Sequence, residues 1–190
     1  MRIIIDARAV RGQSDGMSNY VRHLVIHLLR LDPINDYVLF LHQAFADELT
    51  MLSLLDRSNV HPVITAIPFM GPRQQFRVRS LIRRLPLADV YHYPHFDMPW
   101  FVHPRSVVTI FDLNQFHLTA YFDSWRLLKR SYSFATTTFS LAKARQVITI
   151  SHTTKQRLLA CFPWLDPQKV TVIYCGLNGW AGIGTVSATQ

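Results

Sequence analysis

Short apolar runs alternate along the chain with longer amphipathic stretches. The first run, Ile3-Ile4-Ile5, ends at Asp6, and the next run covers residues 37–41. Continuous β-branched and aliphatic runs are typical of strands that are buried on both faces of a parallel sheet. On this basis we predict strands at residues 3–5, 37–41, 60–67, 90–93, 107–111, 147–150 and 170–173.

Stretches with the 3.6-residue period of amphipathic helices lie between these apolar runs. Pro33 ends the first stretch, Pro72 and Pro86 bracket the third, and Ser151 stands where an N-cap of the last is expected. The predicted helices cover residues 18–30, 45–55, 73–85, 123–143 and 153–161.

The alternation of strands and helices indicates an α/β fold with a doubly wound, mostly parallel, Rossmann-like sheet. With 190 residues, of which 49% are hydrophobic and 17% charged, the chain can bury the core of one domain. Right-handed crossovers in such a sheet place the functional loops at the carboxyl ends of the strands. Residues 176–190 have no clear period, and we expect a poorly ordered tail from residue 179 onward.

The protein is basic, with a formal net charge of +8. This charge favours anionic partners, which include a membrane surface, nucleic acid and phosphorylated substrates. Because the sequence contains no recognisable nucleic-acid-binding module, we expect no nucleic acid partner.

The two cysteines, Cys161 and Cys175, have no CxxC spacing, so we interpret them as reduced thiols of a cytosolic protein. The opening apolar run is too short for a signal peptide, and no stretch approaches the roughly 18 to 20 apolar residues of a spanning helix. We therefore expect a cytoplasmic protein, either free or peripheral on the inner face of the membrane.

Four segments carry a family resemblance, and they occur in the family's order and at suitable spacing. They resemble the N-terminal domain of the group 1, or family 4, retaining glycosyltransferases with the GT-B fold, over about residues 1–178. The segments are MRIIIDAR at 1–8 with GMSNY at 16–20, DVYHYPHF at 89–96, VVTIFDL at 107–113, and VITIS at 147–151 with KVTVIYCG at 169–176.

The resemblance implies two Rossmann-like domains that face each other across a cleft. The N-terminal domain then holds a glycan or lipid-linked acceptor, as in cell-envelope polysaccharide synthesis, and the C-terminal domain holds a nucleotide sugar. It further implies transfer of a hexosyl group with retention, without a metal or another cofactor. The family's donor motifs belong to the C-terminal domain, which we expect this chain to lack. We therefore expect no nucleotide-sugar binding and no catalysis by residues 1–178 alone. Three alternatives remain: a non-catalytic glycan- or membrane-binding module that pairs with a separate donor-binding chain, an inactive truncated product, and, ranked last, a basic nucleic-acid-binding protein.

Gly16 follows the first strand and precedes a helix, where a glycine lets the backbone approach a ligand and the helix N-terminus offers free N–H groups to a phosphate. The resemblance places the matching glycine near the donor diphosphate. The alternative is that Gly16 only supports a tight turn. No GxGxxG pattern is present, which argues against an NAD-dependent enzyme.

Phe111 and Asp112 lie at the carboxyl end of the fifth predicted strand, at a position where family members often carry His-Asp. A phenylalanine ring can pack on a sugar face, but it cannot transfer a proton. We interpret Asp112 either as a ligand for an acceptor hydroxyl or as an Asx-turn residue that binds loop N–H groups. His95, which follows another strand end, is a third candidate for acceptor binding.

Two histidine spacings also resemble metal sites. His92, His95 and Asp97 lie in one aromatic loop, which fits a sugar-binding surface better than a metal, and we assign no metal. His23 and His27 lie four residues apart on the first helix, where apolar neighbours favour a packing role.

The third predicted helix is rich in arginine and carries an apolar stripe of Phe76, Leu81, Ile82 and Leu85. A basic amphipathic helix can lie on an anionic membrane surface, and several members of the resembled family act on lipid-linked acceptors. The alternative is a stripe that faces the core and a basic face that faces water. The candidate residues for membrane binding are Arg73, Arg77, Arg79, Arg83 and Arg84.

Overall fold

The computed structural model describes residues 1–12, 15–100, 105–113 and 126–176. Their strands form one seven-stranded parallel sheet in the order β3-β2-β1-β4-β5-β6-β7, which confirms the predicted α/β, Rossmann-like fold. The strands are β1 (Arg2–Asp6), β2 (Asp36–Leu41), β3 (Val60–Ile64), β4 (Val90–Tyr93), β5 (Ser106–Ile110), β6 (Gln146–Thr149) and β7 (Val170–Val172).

Helices connect most of these strands. Within the described ranges they are α1 (Gly16–Leu31), α2 (Gln43–Met51), α3 (Pro72–Ile82), α4 (Arg126–Lys143), α5 (His152–Cys161) and a short 3₁₀ helix (Pro167–Lys169). None of the described helices is long and apolar enough to cross a membrane. The expected tail from residue 179 onward and residues 123–125 of the predicted fourth helix lie outside the described residues.

Helix α2 and strand β3 end several residues earlier than predicted. Helix α2 ends at Met51, and Ser53, which has a φ of 53°, turns the chain away from the helical path. Strand β3 ends at Ile64, after which the Thr65 N–H still donates to Leu41 O before the chain leaves the sheet.

Helix α3 also differs from its prediction, because it begins at Pro72 and ends at Ile82. Arg83 and Arg84 therefore follow the helix. The N–H groups of Arg84 and Leu85 bond to carbonyls three residues back, so the chain tightens after Ile82. This tightening fits the approach of Pro86, which disfavours helical backbone in the residue before it.

The order in which strands are added to the sheet reverses between β1 and β4, although all strands run parallel. Strands β1 to β3 extend outward on one side, and the chain then returns to pair β4 with β1 through Ile4 and Tyr91. Continuous burial of strands such as β2, where Tyr37 to Leu41 are all buried, accounts for the unbroken apolar runs in the sequence.

A buried ion pair lies at the carboxyl end of β1. Asp6 and Arg8 are 0% and 1% exposed, and Arg8 Nη2 lies 2.6 Å from Asp6 Oδ2. The guanidinium also donates from Nε to Asp6 Oδ1, from Nη1 to the carbonyls of Ile67 and Pro68, and from Nη2 to Gln74 Oε1. All five of its N–H donors are therefore satisfied away from water, by acceptors from three segments of the chain.

The hydrogen bonds continue from Gln74 into a second buried group. The Tyr93 hydroxyl lies 2.6 Å from Gln74 Oε1, and Gln74 Nε2 donates to Asp97 O. The Asp97 carboxylate accepts hydrogen bonds from Gln75 Nε2 and from the Tyr132 hydroxyl. The resulting network joins β1, α3, the segment after β4, and α4.

Ser151 is the N-cap of α5, as predicted, and its side chain accepts a hydrogen bond from Thr154 N at 3.0 Å. Ser151→Ala removes this bond and should lower the free energy of unfolding by about 1 kcal/mol. Ser151→Asn retains a capping oxygen and is the control, for which we expect nearly unchanged stability. Urea unfolding of the three proteins checks this, and equal stability of the Ala and Asn variants would contradict the capping role.

Candidate functional site

An open cavity of about 600 Å³ lies over the carboxyl edge of the sheet. Its walls come from the start of α1 and from the segments that follow β4, β5, β6 and β7. In open α/β sheets ligands bind at this edge, near the point where the strand order reverses. The cavity is lined by Gly16, Met17, His95, Phe96, Phe111, Asp112, Ile150 and Cys175.

Gly16 is the first residue of α1 and is exposed to the cavity. Positive φ values occur at Gly12 and Gly71 among the described glycines, but not at Gly16. A Cβ built on Gly16 would meet no atom within 4 Å. Neither the backbone conformation nor packing among the described residues therefore requires a glycine here, which argues against the tight-turn alternative.

The N-terminus of α1 is less free than the sequence suggests. The Asp15 side chain caps the helix and accepts a hydrogen bond from Ser18 N at 2.8 Å. Because this carboxylate takes one of the expected N–H donors and brings a negative charge, the helix end has a weaker preference for phosphate than an uncapped one.

His95 lies in the cavity wall with only 8% of its surface exposed. Its ring contacts the rings of Phe96, at a centroid distance of 4.1 Å, and Phe69, at 5.4 Å. Burial lowers the pKa of His95 to about 3, so the ring is neutral at neutral pH. Since Nδ1 accepts a hydrogen bond from Asp97 N, the ring proton resides on Nε2, and His95 is suited to donate a hydrogen bond rather than to exchange protons.

Phe111 and Asp112 form the wall that follows β5. The half-buried Phe111 ring makes an edge-to-face contact with Tyr20 at 5.0 Å, and Thr154 Oγ1 donates to Phe111 O. The bond from α5 holds the backbone of Phe111, and the contact from α1 orients its ring. Asp112 is exposed and presents a carboxylate at the same cavity.

The histidine pairs do not come together as metal sites. His92 Nε2 lies 2.9 Å from Thr109 Oγ1, and Asp97 belongs to the buried network, so neither lines the cavity with His95.

His23 and His27 line a different groove, and their ring centroids are 6.1 Å apart. His27 is exposed, which is at odds with a packing role. Among residues 1–12, 15–100, 105–113 and 126–176, no three His, Cys, Asp or Glu side chains could hold a metal ion.

The five arginines proposed for membrane binding lie apart from the cavity. Arg73, Arg77, Arg83 and Arg84 are exposed, whereas Arg79 is half-buried.

Sequence reasoning missed the buried network beneath the site. Gln74, Gln75 and Tyr132 are polar residues of amphipathic segments and carry no sequence signal of burial. The one available signal is the pair Asp6 and Arg8 directly after a strand that is buried on both faces, because charges at such a place need partners.

The lowered pKa values of the buried histidines determine how the stability of the fold should depend on pH. Burial lowers the pKa of His92 to about 4 and that of His95 to about 3, whereas histidines of the unfolded chain titrate near 6.5. The unfolded state therefore binds protons that the folded state excludes, and stability is lost as the pH falls from about 6.5 toward 3. His95→Gln removes one titration and should reduce this loss by about 1.4 kcal/mol per pH unit.

Urea unfolding at a series of pH values measures how steeply the free energy of unfolding depends on pH in the wild type and in His95→Gln. Asp97, whose pKa burial raises to about 6, acts in the opposite direction but is present in both proteins. Equal slopes for the wild type and His95→Gln would contradict the burial of a neutral His95.

Comparison with known proteins places these features in a family. A family model described as Glycosyltransferase Family 4 matches residues 14–178, which is most of the chain. The matched span contains every residue that lines the cavity. Comparison with curated proteins gives no match. The architecture and the family match agree, and the chain belongs to glycosyltransferase family 4.

Proposed function

We propose that this chain binds the acceptor of a glycosyl transfer in the cavity at the carboxyl edge of the sheet. A second domain that faces the cavity binds the nucleotide-sugar donor. The acceptor is a glycan or a lipid-linked sugar, and the transferred group is a hexosyl residue. The observation that carries the proposal is that one cavity holds the four residues selected from the sequence for acceptor binding and for approach to the donor phosphate: Gly16, His95, Phe111 and Asp112.

The chemistry of the cavity suits a sugar. A pyranose has apolar C–H faces and a rim of hydroxyl groups, and Phe96 and Phe111 offer aromatic surface to the faces. The His95 Nε2–H donates to a hydroxyl oxygen, and the Asp112 carboxylate accepts from a hydroxyl hydrogen. A rigid wall with a few polar groups orients such a ligand without a large loss of entropy on binding.

The contribution of this chain to the reaction is positioning. In the transfer, the acceptor hydroxyl oxygen forms a bond to the anomeric carbon of the hexosyl group, and the bond from that carbon to the diphosphate oxygen breaks. The hydroxyl proton passes to the departing diphosphate. Phe111 cannot move a proton, and the low pKa of His95 makes it a poor base. Holding the acceptor hydroxyl in register with a separately bound donor accounts for the rate enhancement that this half supplies.

Glycan binding tests the proposal with the 190-residue chain itself. We expect immobilised cell-envelope oligosaccharides to bind, and UDP-glucose and GDP-mannose not to bind measurably. Phe111→Ala removes the aromatic face and should weaken glycan binding about tenfold. Phe76→Ala, which truncates an exposed phenylalanine on α3, is the control and should have no effect. Unchanged glycan binding by Phe111→Ala, or tight binding of the nucleotide sugars alone, would contradict the proposal.

A substitution at Gly16 provides a second test, which distinguishes an effect on the approach of the donor from an effect on stability. Gly16→Ala places a methyl group in open space, so we expect no loss of stability and unchanged glycan binding. When the chain is combined with a family 4 donor-binding domain, transfer should fall at least about tenfold, because the methyl group occupies the path of the donor. Full transfer activity of the variant would show that Gly16 does not approach the donor.

A further inference from the structure

Two long segments of the chain contain basic residues but no acidic residue: residues 57–88 and residues 124–165. The first of them, between Asp56 and Asp89, contains six arginines. Helix α3 lies within this first segment. None of the described carboxylates forms an ion pair with the exposed arginines of α3. The ion pairs of the described residues involve Arg2, Arg8, Arg22 and Arg105. The outer side of α3 is therefore a positively charged surface.

The pattern of burial along α3 shows which of its residues face outward. Gln74, Gln75 and Val78 are buried on the inner side. The residues three to four positions apart on the other side are exposed: Arg73, Phe76, Arg77 and Ser80, followed by Arg83 and Arg84 beyond the helix. Phe76, assigned from the sequence to a stripe that could face the core, is instead 66% exposed beside the arginines.

Large apolar side chains accompany the arginines on this segment. Met70 is 49% exposed just before α3, Phe76 is 66% exposed on it, and Leu87 is 87% exposed after it. A nucleic acid backbone or an acidic protein surface would neutralise the arginines but would leave these side chains in water. The interface of an anionic bilayer offers phosphates to the cations and the acyl boundary to the apolar groups.

We propose that the outer side of α3, defined by Arg73, Phe76, Arg77, Arg83 and Arg84, docks on the surface of an anionic lipid bilayer. The inner side of the helix is held by Gln74 and Gln75 in the buried network, so a docked helix fixes the orientation of the whole domain. Gly71 N, directly before α3, donates to Asp97 Oδ2 in the segment that follows β4, the same segment that contributes His95 to the cavity wall. Docking therefore holds the cavity at a set angle to the bilayer.

Vesicle sedimentation tests this inference with the whole chain. We expect binding to mixed phosphatidylglycerol–phosphatidylcholine vesicles, little binding to pure phosphatidylcholine vesicles, and weaker binding as salt is added. The double variant Arg73→Gln/Arg77→Gln should bind the anionic vesicles about 25-fold more weakly, at about fivefold for each cation. Phe76→Ala should weaken binding about tenfold through lost insertion.

Matched controls make each outcome decisive. Arg30→Gln/Arg157→Gln removes the same charge from exposed sites on α1 and α5 and should bind within about twofold of the wild type. Equal binding to neutral vesicles, no binding, or an equal loss in both double variants would overturn the proposal. An unchanged affinity of Phe76→Ala together with equally tight heparin binding would assign the surface to an anionic polymer instead.

Phe111→Ala should leave vesicle binding unchanged. Failure of membrane docking is thereby distinguishable from failure of the proposed acceptor site, which the glycan measurement tests separately.

Discussion

The buried ion pair of Asp6 and Arg8 is the constraint on which the site depends. A guanidinium that is removed from water needs a partner for every N–H group, and here the partners come from the end of β1, the loop at residues 67–68 and α3. Loss of Asp6 would leave an uncompensated buried charge, at a cost of about 3–5 kcal/mol. Movement of the loop or of α3 would leave a buried N–H group without an acceptor, at a cost of about 1–3 kcal/mol for each lost bond. The segments around the carboxyl edge of the sheet are therefore held together.

This constraint connects two surfaces with different tasks. Gln74 accepts from Arg8 and Tyr93, and Gln75 binds the carboxylate of Asp97, whose neighbour His95 lines the cavity. The opposite side of α3 carries the exposed arginines. A site is most precise when the residues behind it are locked by hydrogen bonds, and the network supplies such a support for the proposed acceptor cavity.

The sequence predicted the sheet because strands buried on both faces must be continuously apolar, and each of the seven strands overlaps a predicted apolar run. The cavity-lining residues could be selected because strand ends in such a sheet converge at one edge. The phase of α3 could not be predicted, since Gln74 and Gln75 look like surface residues until their buried partners are known. That ambiguity led to Phe76 being assigned to a stripe that could face the core, although it is exposed. The cap by Asp15, which competes with phosphate for the N–H groups of α1, was also missed from the sequence.

Hydrogen–deuterium exchange of the Arg8→Met variant tests the central claim most directly, at labelling times short enough to report local opening. If the buried pair organises the edge of the sheet, amides of residues 67–75 and 93–98 should exchange faster than in the wild type. Amides of α5 and β6, which make no contact with Arg8 in the network, should keep their protection. Unchanged exchange in both segments, or a uniform increase along the chain, would contradict the claim that Arg8 holds these segments around the cavity.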